Sequence, residues 1–283
     1  MNQIDLSFAQ AAVVMPGEHK RLRIIQVGAG GTGSFAALAI ARLMYELKQS
    51  GKTVELLIID PDVVEDGNIP RSNFCFAEVG SFKAQTLAKR ITLAWGLECH
   101  HANEVFDAEV HLHQPSGGYD TLTVIVGCVD NHRARLEIHR AVEGSQGYRS
   151  DAPKIWWIDG GNGKYSGQVL IGSTTERTKP KNYFVGTSIC RSLPAPSLIH
   201  PGLLTPQEAK RESLVSCAER IRLGEQSLNI NQRVAVEIGE MLAAMFLAHD
   251  LRRFATYFDL ETGTSRSLYC TPEQVESVIP RRK

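Results

Sequence analysis

Two rhythms of apolar residues run along this chain. Arg21–Val27 (RLRIIQV) is a short apolar run that stops at Gly28, as a strand ending in a tight turn would. Across residues 34–47, Phe35, Leu38, Ile40, Leu43, Met44 and Leu47 recur at helical spacing. After Gly51, residues 54–59 (VELLII) are closed by Asp60-Pro61 and read as a buried parallel strand. The same reading gives a helix over residues 81–95, a strand near 97–105, a strand at 121–126 (TLTVIV), a helix over 131–142 and a strand at 154–158 (KIWWI). Strands alternating with helices predict an α/β fold, a Rossmann-like doubly wound and mostly parallel sheet.

The rhythm changes after Asp159. Gly160, Gly161, Gly163, Gly167 and Gly172 punctuate a stretch in which residues 166–171 (SGQVLI) follow too closely for a crossover helix, so this strand is expected to extend the sheet antiparallel. Residues 173–211 hold Pro180, Pro194, Pro196, Pro201 and Pro206, which excludes long regular elements there. One apolar helix is expected over residues 229–249, then a hairpin from residues 254–258 and 267–269. The expected organisation is an N-terminal extension (1–20) and a single domain (21–283), with 173–211 a long Pro-rich crossover loop.

Charge changes this picture by exclusion. Lys and Arg total 31, as do Asp and Glu, so no global field draws the chain to nucleic acid or an anionic membrane. The charge-free stretch 24–41 contains four glycines and reads as strand, turn and helix, not as a membrane span. The six cysteines form no CxxC pair, so neither a zinc ribbon nor a thioredoxin motif is expected. Asp5 and the lack of a basic segment leading into an apolar one give no sign of a secretory signal, and a cytoplasmic location is the expectation.

The chemistry must therefore sit in local motifs. Gly28-Ala29-Gly30-Gly31-Thr32-Gly33 is GxGxxG between a strand and a helix, where backbone N–H groups at a helix N-terminus approach phosphate. Asp60, at the end of the second strand, is placed to bind a ribose hydroxyl. Up to this point NAD and ATP fit equally. Asn68, Arg71 and Lys83 follow, and a dinucleotide whose pyrophosphate already sits on the first turn has no need of them. A triphosphate does. Asp130, in Val126-Gly127-Cys128-Val129-Asp130-Asn131, falls at the C-terminal end of a parallel strand and is well placed to hold Mg²⁺.

In order and spacing, GAGGTG, DPDVVEDGNIPR, VGSFK and GCVDN with Arg135 resemble the ThiF/MoeB/HesA group, bacterial relatives of ubiquitin-activating enzymes, over about residues 21–172. In the tail, Cys217-Ala-Glu, Gln226-Ser227-Leu228 and Asn231 resemble the ThiF-like family of the cassette known as PRTRC. The resemblance implies that Gly28, Gly30 and Gly33 line the nucleotide, Asp60 holds the ribose, Asn68, Arg71 and Lys83 contact the phosphates, and Asp130 binds Mg²⁺. It implies adenylation of the C-terminal carboxylate of a small ubiquitin-like or sulfur-carrier β-grasp protein, with ATP and Mg²⁺. It also implies a homodimer; the charge balance gives the expectation of no nucleic-acid or membrane partner. Asp159-Gly160-Gly161-Asn162 reads either as a turn that admits a Gly-Gly tail or as a plain turn between strands.

Departures from the family pattern bear on this reading. Zinc-binding members carry two CxxC pairs, absent here, so zinc is not expected. The N-terminal arginine run that reaches across a dimer is replaced by Lys20, Arg21 and Arg23, and Ser72 stands where Gln is usual. For a thioester step, Cys217 lies near Arg211, Arg220 and Arg222, a cationic setting that would lower a thiol's pKa, and Cys190 beside Arg191 is its rival. Cys75, Cys99 and Cys128 read as core or strand-edge fillers. His111 and His113 read as solvated residues of a polar loop, not ligands. Two other functions stay open: a non-catalytic ThiF-like nucleotide-binding or regulatory module, and an NAD-dependent oxidoreductase.

Overall fold

A computed structural model describes residues 6–112, 120–145, 152–176, 180–206 and 227–279. Its strands are β1 (Val13–Val14), β2 (Arg21–Val27), β3 (Thr53–Ile59), β4 (Cys99–Ala102), β5 (Thr121–Gly127), β6 (Ile155–Asn162), β7 (Ser166–Gly172), β8 (Phe184–Val185), β9 (Ile189–Cys190), β10 (Arg253–Asp259) and β11 (Ser265–Tyr269). Eight of them form one sheet in the order β4-β3-β2-β5-β6-β7-β10-β11. Strands β4 through β6 of that order pair parallel, and β7, β10 and β11 extend the sheet antiparallel. The fold is thus the expected Rossmann-like mixed sheet with flanking helices.

The chain runs outward from β2 to β3 and β4, then returns to β5 and β6 on the other side of β2. That reversal opens a crevice beyond the C-terminal ends of β2 and β5, where such sheets bind ligands. Alternation along the strands covers both faces. Leu22 and Ile24 of β2 and Trp156 of β6 face the Gly31–Gln49 and Ile230–Phe246 helices. Ile25, Val27 and Trp157 face the His132–Gly144 helix. The adjacent tryptophans Trp156 and Trp157 are both fully buried, on opposite faces. The Gly31–Gln49 and Ile230–Phe246 helices pack closely, because Gly239 leaves the room that Ala39 fills.

Several boundaries differ from the sequence reading, each for a local reason. The helix expected over residues 34–47 begins at Gly31, because the glycine loop supplies its first turn. The strand expected near 97–105 is only Cys99–Ala102, paired along one edge to β3. Residues 159–162 are not a turn. They complete β6, and the chain reverses through residues 163–165. Gly160 is needed there because its β-carbon would lie 2.8 Å from Val234 and 2.9 Å from Ile238 of the Ile230–Phe246 helix. Within the Pro-rich segment, β9 pairs parallel with β1 and antiparallel with β8.

Candidate nucleotide-binding site

The glycine loop fills the mouth of the crevice, and each glycine is there for a different reason. Gly28 adopts φ +94°, and its β-carbon would lie 2.5 Å from the Cys128 carbonyl oxygen. A β-carbon on Gly33 would run into the Gly28 carbonyl, so this glycine seats the helix against the strand. Nothing lies within 4 Å of the β-carbon position of Gly30. That side of the backbone is open. Behind the loop, the fully buried Gln26 donates from Nε2 to the carbonyls of Gly28 (2.9 Å) and Gly33 (3.0 Å). The helix that follows has no side-chain cap and no acid in its first turn, so its leading N–H groups and positive dipole end suit an anion.

Asp60 closes one flank. Its Oδ2 accepts from the Ala29 amide at 2.6 Å and its Oδ1 from the Asp62 amide at 2.9 Å. Burial pushes this carboxyl up, and the two backbone donors and the Lys83 charge oppose the shift. Lys83 is itself buried, with Nζ 2.9 Å from Asp62 Oδ2, whose side chain is exposed. Asn68 Oδ1 accepts from the Glu65 amide at 2.9 Å, which fixes the start of the Asp66–Arg71 turn. At the end of that turn, Ser72 Oγ donates back to the Asn68 carbonyl at 2.5 Å. Arg71 Nε is buried and has no hydrogen-bond partner among the described residues. It is one of seven buried side-chain polar atoms without a partner among the described residues, and its N–H is a donor left free for an anion.

Asp130 is exposed just beyond β5, and the neighbouring Asn131 caps the His132–Gly144 helix through Oδ1 to the Ala134 amide at 2.8 Å. Among the described residues no three His, Cys, Asp or Glu side chains gather as a metal cage. Mg²⁺ needs none, since it is held by one or two carboxylates together with substrate phosphates. A free carboxylate at the crevice fits that donor set. Cys217 lies outside the described residues.

Two supports of the site received no role from the sequence, although Arg135 belongs to the motifs that carry the family resemblance. Gln26 is the one polar side chain inside the inner half of β2, and that interruption was its only signal. The other is a buried ion pair beneath β5 and β6. Arg135 Nε lies 3.2 and 3.1 Å from the Asp159 carboxylate oxygens. Gly127 leaves space for it, since its β-carbon would meet Asp159 Oδ2 at 2.8 Å. Burial pushes the Asp159 carboxyl up to about 6 against the pull of the Arg135 guanidinium. A third support, Asn231, was visible only as part of the tail resemblance.

Among the cysteines, Cys75 is exposed, not a filler, because it sits in the surface segment before the Phe76–Glu78 turn. Cys190 is fully buried and its thiol donates to the Ser192 carbonyl at 3.1 Å, a setting unlike that of a reactive thiol. Burial pushes Cys99 up to about 12 and raises Cys128 as well. His111 is likewise not solvated: it is buried, with Nε2 3.0 Å from Glu104 Oε1, because residues 108–111 form a helical turn against Phe106. His113 lies outside the described residues.

A family model described as ThiF family matches residues 11–224. No curated protein matches. Among solved structures, selenomethionine PaaA is similar over 89% of this chain and 64% of its own, with 18% identity and a TM-score of 0.56. E. coli MccB solved with ATP is similar over 88% of this chain and 63% of its own, at 12% identity and TM-score 0.54. The same protein solved with selenomethionine MccA gives 87% and 63%, at 13% and 0.52. At these identities the likeness is one of fold. The chain spans less than two thirds of the length of each. Among the described residues no helix is long and apolar enough to cross a membrane.

Proposed function

The chain belongs to the ThiF family, and from that premise we propose that it adenylates the C-terminal carboxylate of a small ubiquitin-like or sulfur-carrier β-grasp protein. The observation that carries the reading is the buried, unpartnered Arg71 Nε beside a glycine loop open at Gly30. ATP in the crevice would place its phosphates on the Gly28–Gly33 backbone, Arg71 and Lys83, with its ribose against Asp60. Asn68 contributes its amide nitrogen, since its oxygen is engaged. Asp130 is the residue that would hold Mg²⁺, which offsets phosphate charge when bound. The MccB structure solved with ATP supports a nucleotide in this fold.

In the reaction, a carboxylate oxygen of the carrier attacks the α-phosphorus and a new O–P bond forms. The α–β bridging bond breaks, and pyrophosphate leaves with the electron pair. A carboxylate is already nucleophilic, so no general base is required. The residues named align it and spread the charge. Where a thioester follows, the Cys217 thiolate attacks the acyl carbon and AMP departs. The proposal extends to a homodimer, as the family resemblance implies, and to the PRTRC branch, which the likeness of the tail motif supports.

ATP–pyrophosphate exchange with purified carrier candidates tests the proposal. Exchange that depends on carrier and is lost in Arg71→Ala and Asp130→Ala is the expected result. NADH-dependent turnover without exchange would replace it with a dehydrogenase. ATP binding with no exchange for any carrier would leave a regulatory nucleotide-binding module.

A further inference from the structure

GxGxxG leaves its fourth position open, yet this chain has glycine there as well, at Gly31. The backbone does not demand it, because Gly31 is not among the residues with positive φ. The space around it does. A β-carbon on Gly31 would lie 2.5 Å from Asn231 Nδ2, 2.8 Å from its Cγ and 3.0 Å from its Oδ1. Such distances require one of the two to move. Asn231 cannot move freely: it is 3% exposed and bonded on three sides. Its Oδ1 accepts from Thr32 Oγ1 at 3.1 Å and from Asn162 Nδ2 at 2.7 Å. Its Nδ2 donates to the Arg71 carbonyl at 3.2 Å.

Because the Arg71 carbonyl can only accept, that contact fixes which way the amide faces. One side chain thereby joins four pieces of chain remote in sequence: the first turn of the glycine-loop helix, the end of β6, the Arg71 turn and the Ile230–Phe246 helix. We propose that Asn231 is a positioning residue for the phosphate end of the site, and that Gly31 is glycine to admit its amide. Asn231 sets the Arg71 backbone at the end of the turn that carries the guanidinium, and it braces the helix start whose N–H groups face the anion. It has no need to touch the ligand. The positioning part of this inference rests on the ATP-binding reading above; the Gly31–Asn231 fit does not.

Two measurements on the full chain test the two parts. The first is a stability cycle of Gly31→Ala, Asn231→Ala and the double variant, read as melting temperature without ligand. Gly31→Ala should lower Tm when Asn231 is present. In the Asn231→Ala background the same change should leave Tm unchanged or raise it, since alanine is the better helix former. An equal loss in both backgrounds overturns the fit.

The second is calorimetric binding of MgATP and of adenosine, which has no phosphates. Asn231→Ala and Asn231→Asp should weaken MgATP by about tenfold or more, the scale of a lost hydrogen bond to a charged group, and leave adenosine within about twofold. The Asp variant should be the worse of the two, because it turns an oxygen toward the Arg71 carbonyl and adds negative charge beside the loop. Equal weakening of both ligands, or of neither, overturns the positioning role. Wild-type chain that binds no MgATP overturns the ATP reading and the positioning role together, and the stability cycle still decides the fit.

Discussion

The Arg135–Asp159 pair makes the sharpest test of how this fold sustains its crevice, because one partner titrates in an accessible range. In an unfolded chain an aspartate titrates near 3.9. Burial holds Asp159 at about 6 in the folded protein. Between those values the folded state keeps a proton that the unfolded state has lost, so the free energy of unfolding falls as pH rises. Two units correspond to about 3 kcal/mol. This contribution is present in full below about pH 4 and is gone above about pH 6.

Asp159→Asn removes it. The amide oxygen still accepts from Arg135 Nε, and like the protonated carboxyl of the wild type at low pH it carries no counter-charge for the guanidinium. Urea unfolding of both proteins in steps from pH 4 to pH 7 cancels the carboxylates they share. The stability of Asp159→Asn relative to wild type should rise by about 3 kcal/mol across that window and level off above it. A flat difference would refute the reasoning and mean that Asp159 is ionised throughout. Arg135→Leu should act oppositely on the carboxyl. Stripped of its cation, Asp159 titrates still higher, and neutral-pH stability drops by about 3–5 kcal/mol.

Further predictions follow from the steric and solvent settings of single residues. Gly30→Ala should fold normally, since nothing occupies the added carbon's place, and lose MgATP affinity by calorimetry; Gly28→Ala should be destabilised by its φ of +94° and the Cys128 carbonyl. Gly160→Ala should cost about 1–3 kcal/mol by overpacking against Val234 and Ile238, with MgATP affinity unchanged; a loss of affinity without a loss of stability would restore Gly160 to the ligand's path. Lys83→Met should weaken MgATP more than adenosine, because its ammonium, now paired with Asp62, is assigned to phosphate. Under native conditions iodoacetamide should modify Cys75 and spare Cys190 and Cys270, as read by peptide mass mapping; early labelling of Cys190 would show that its segment opens.

The sheet was legible because its signals are local. An apolar run closed by Gly28 or by Asp60-Pro61 specifies a buried strand without reference to anything distant. The spacing between residues 158 and 166 likewise admits only an antiparallel return, and the structure has it. What failed was local too. DGGN looks like a turn because glycines usually are, yet Gly160 is glycine for the helix packed across it, a partner some 70 residues away in sequence. Cys75 and His111 went wrong in opposite directions for one reason: residue type gives average burial, and the neighbours that decide it, a surface turn for one and Glu104 and Phe106 for the other, are set by tertiary structure.

At the crevice the division runs between residues that face the ligand and residues that hold them. The ligand-facing set is short in sequence range and rich in special chemistry, so GAGGTG, Asp60, Arg71, Lys83 and Asp130 stood out. The holding set is Gln26, Asn162, Arg135, Asp159 and Asn231, ordinary polar residues, all buried except the exposed Asn162, whose importance lies in the hydrogen bonds each makes to a fixed partner. Their pairings span 24 residues for Arg135 with Asp159 and 199 for Thr32 with Asn231, beyond any periodicity. Gly31 shows how the two sets meet. In the motif it is the one glycine of four that GxGxxG does not require, and nothing in the pattern says why it is there. In space Gly30 faces open crevice and Gly31 faces Asn231, so a single methyl at each position should separate them: at Gly30 it obstructs the ligand, and at Gly31 it displaces the residue that aims the loop.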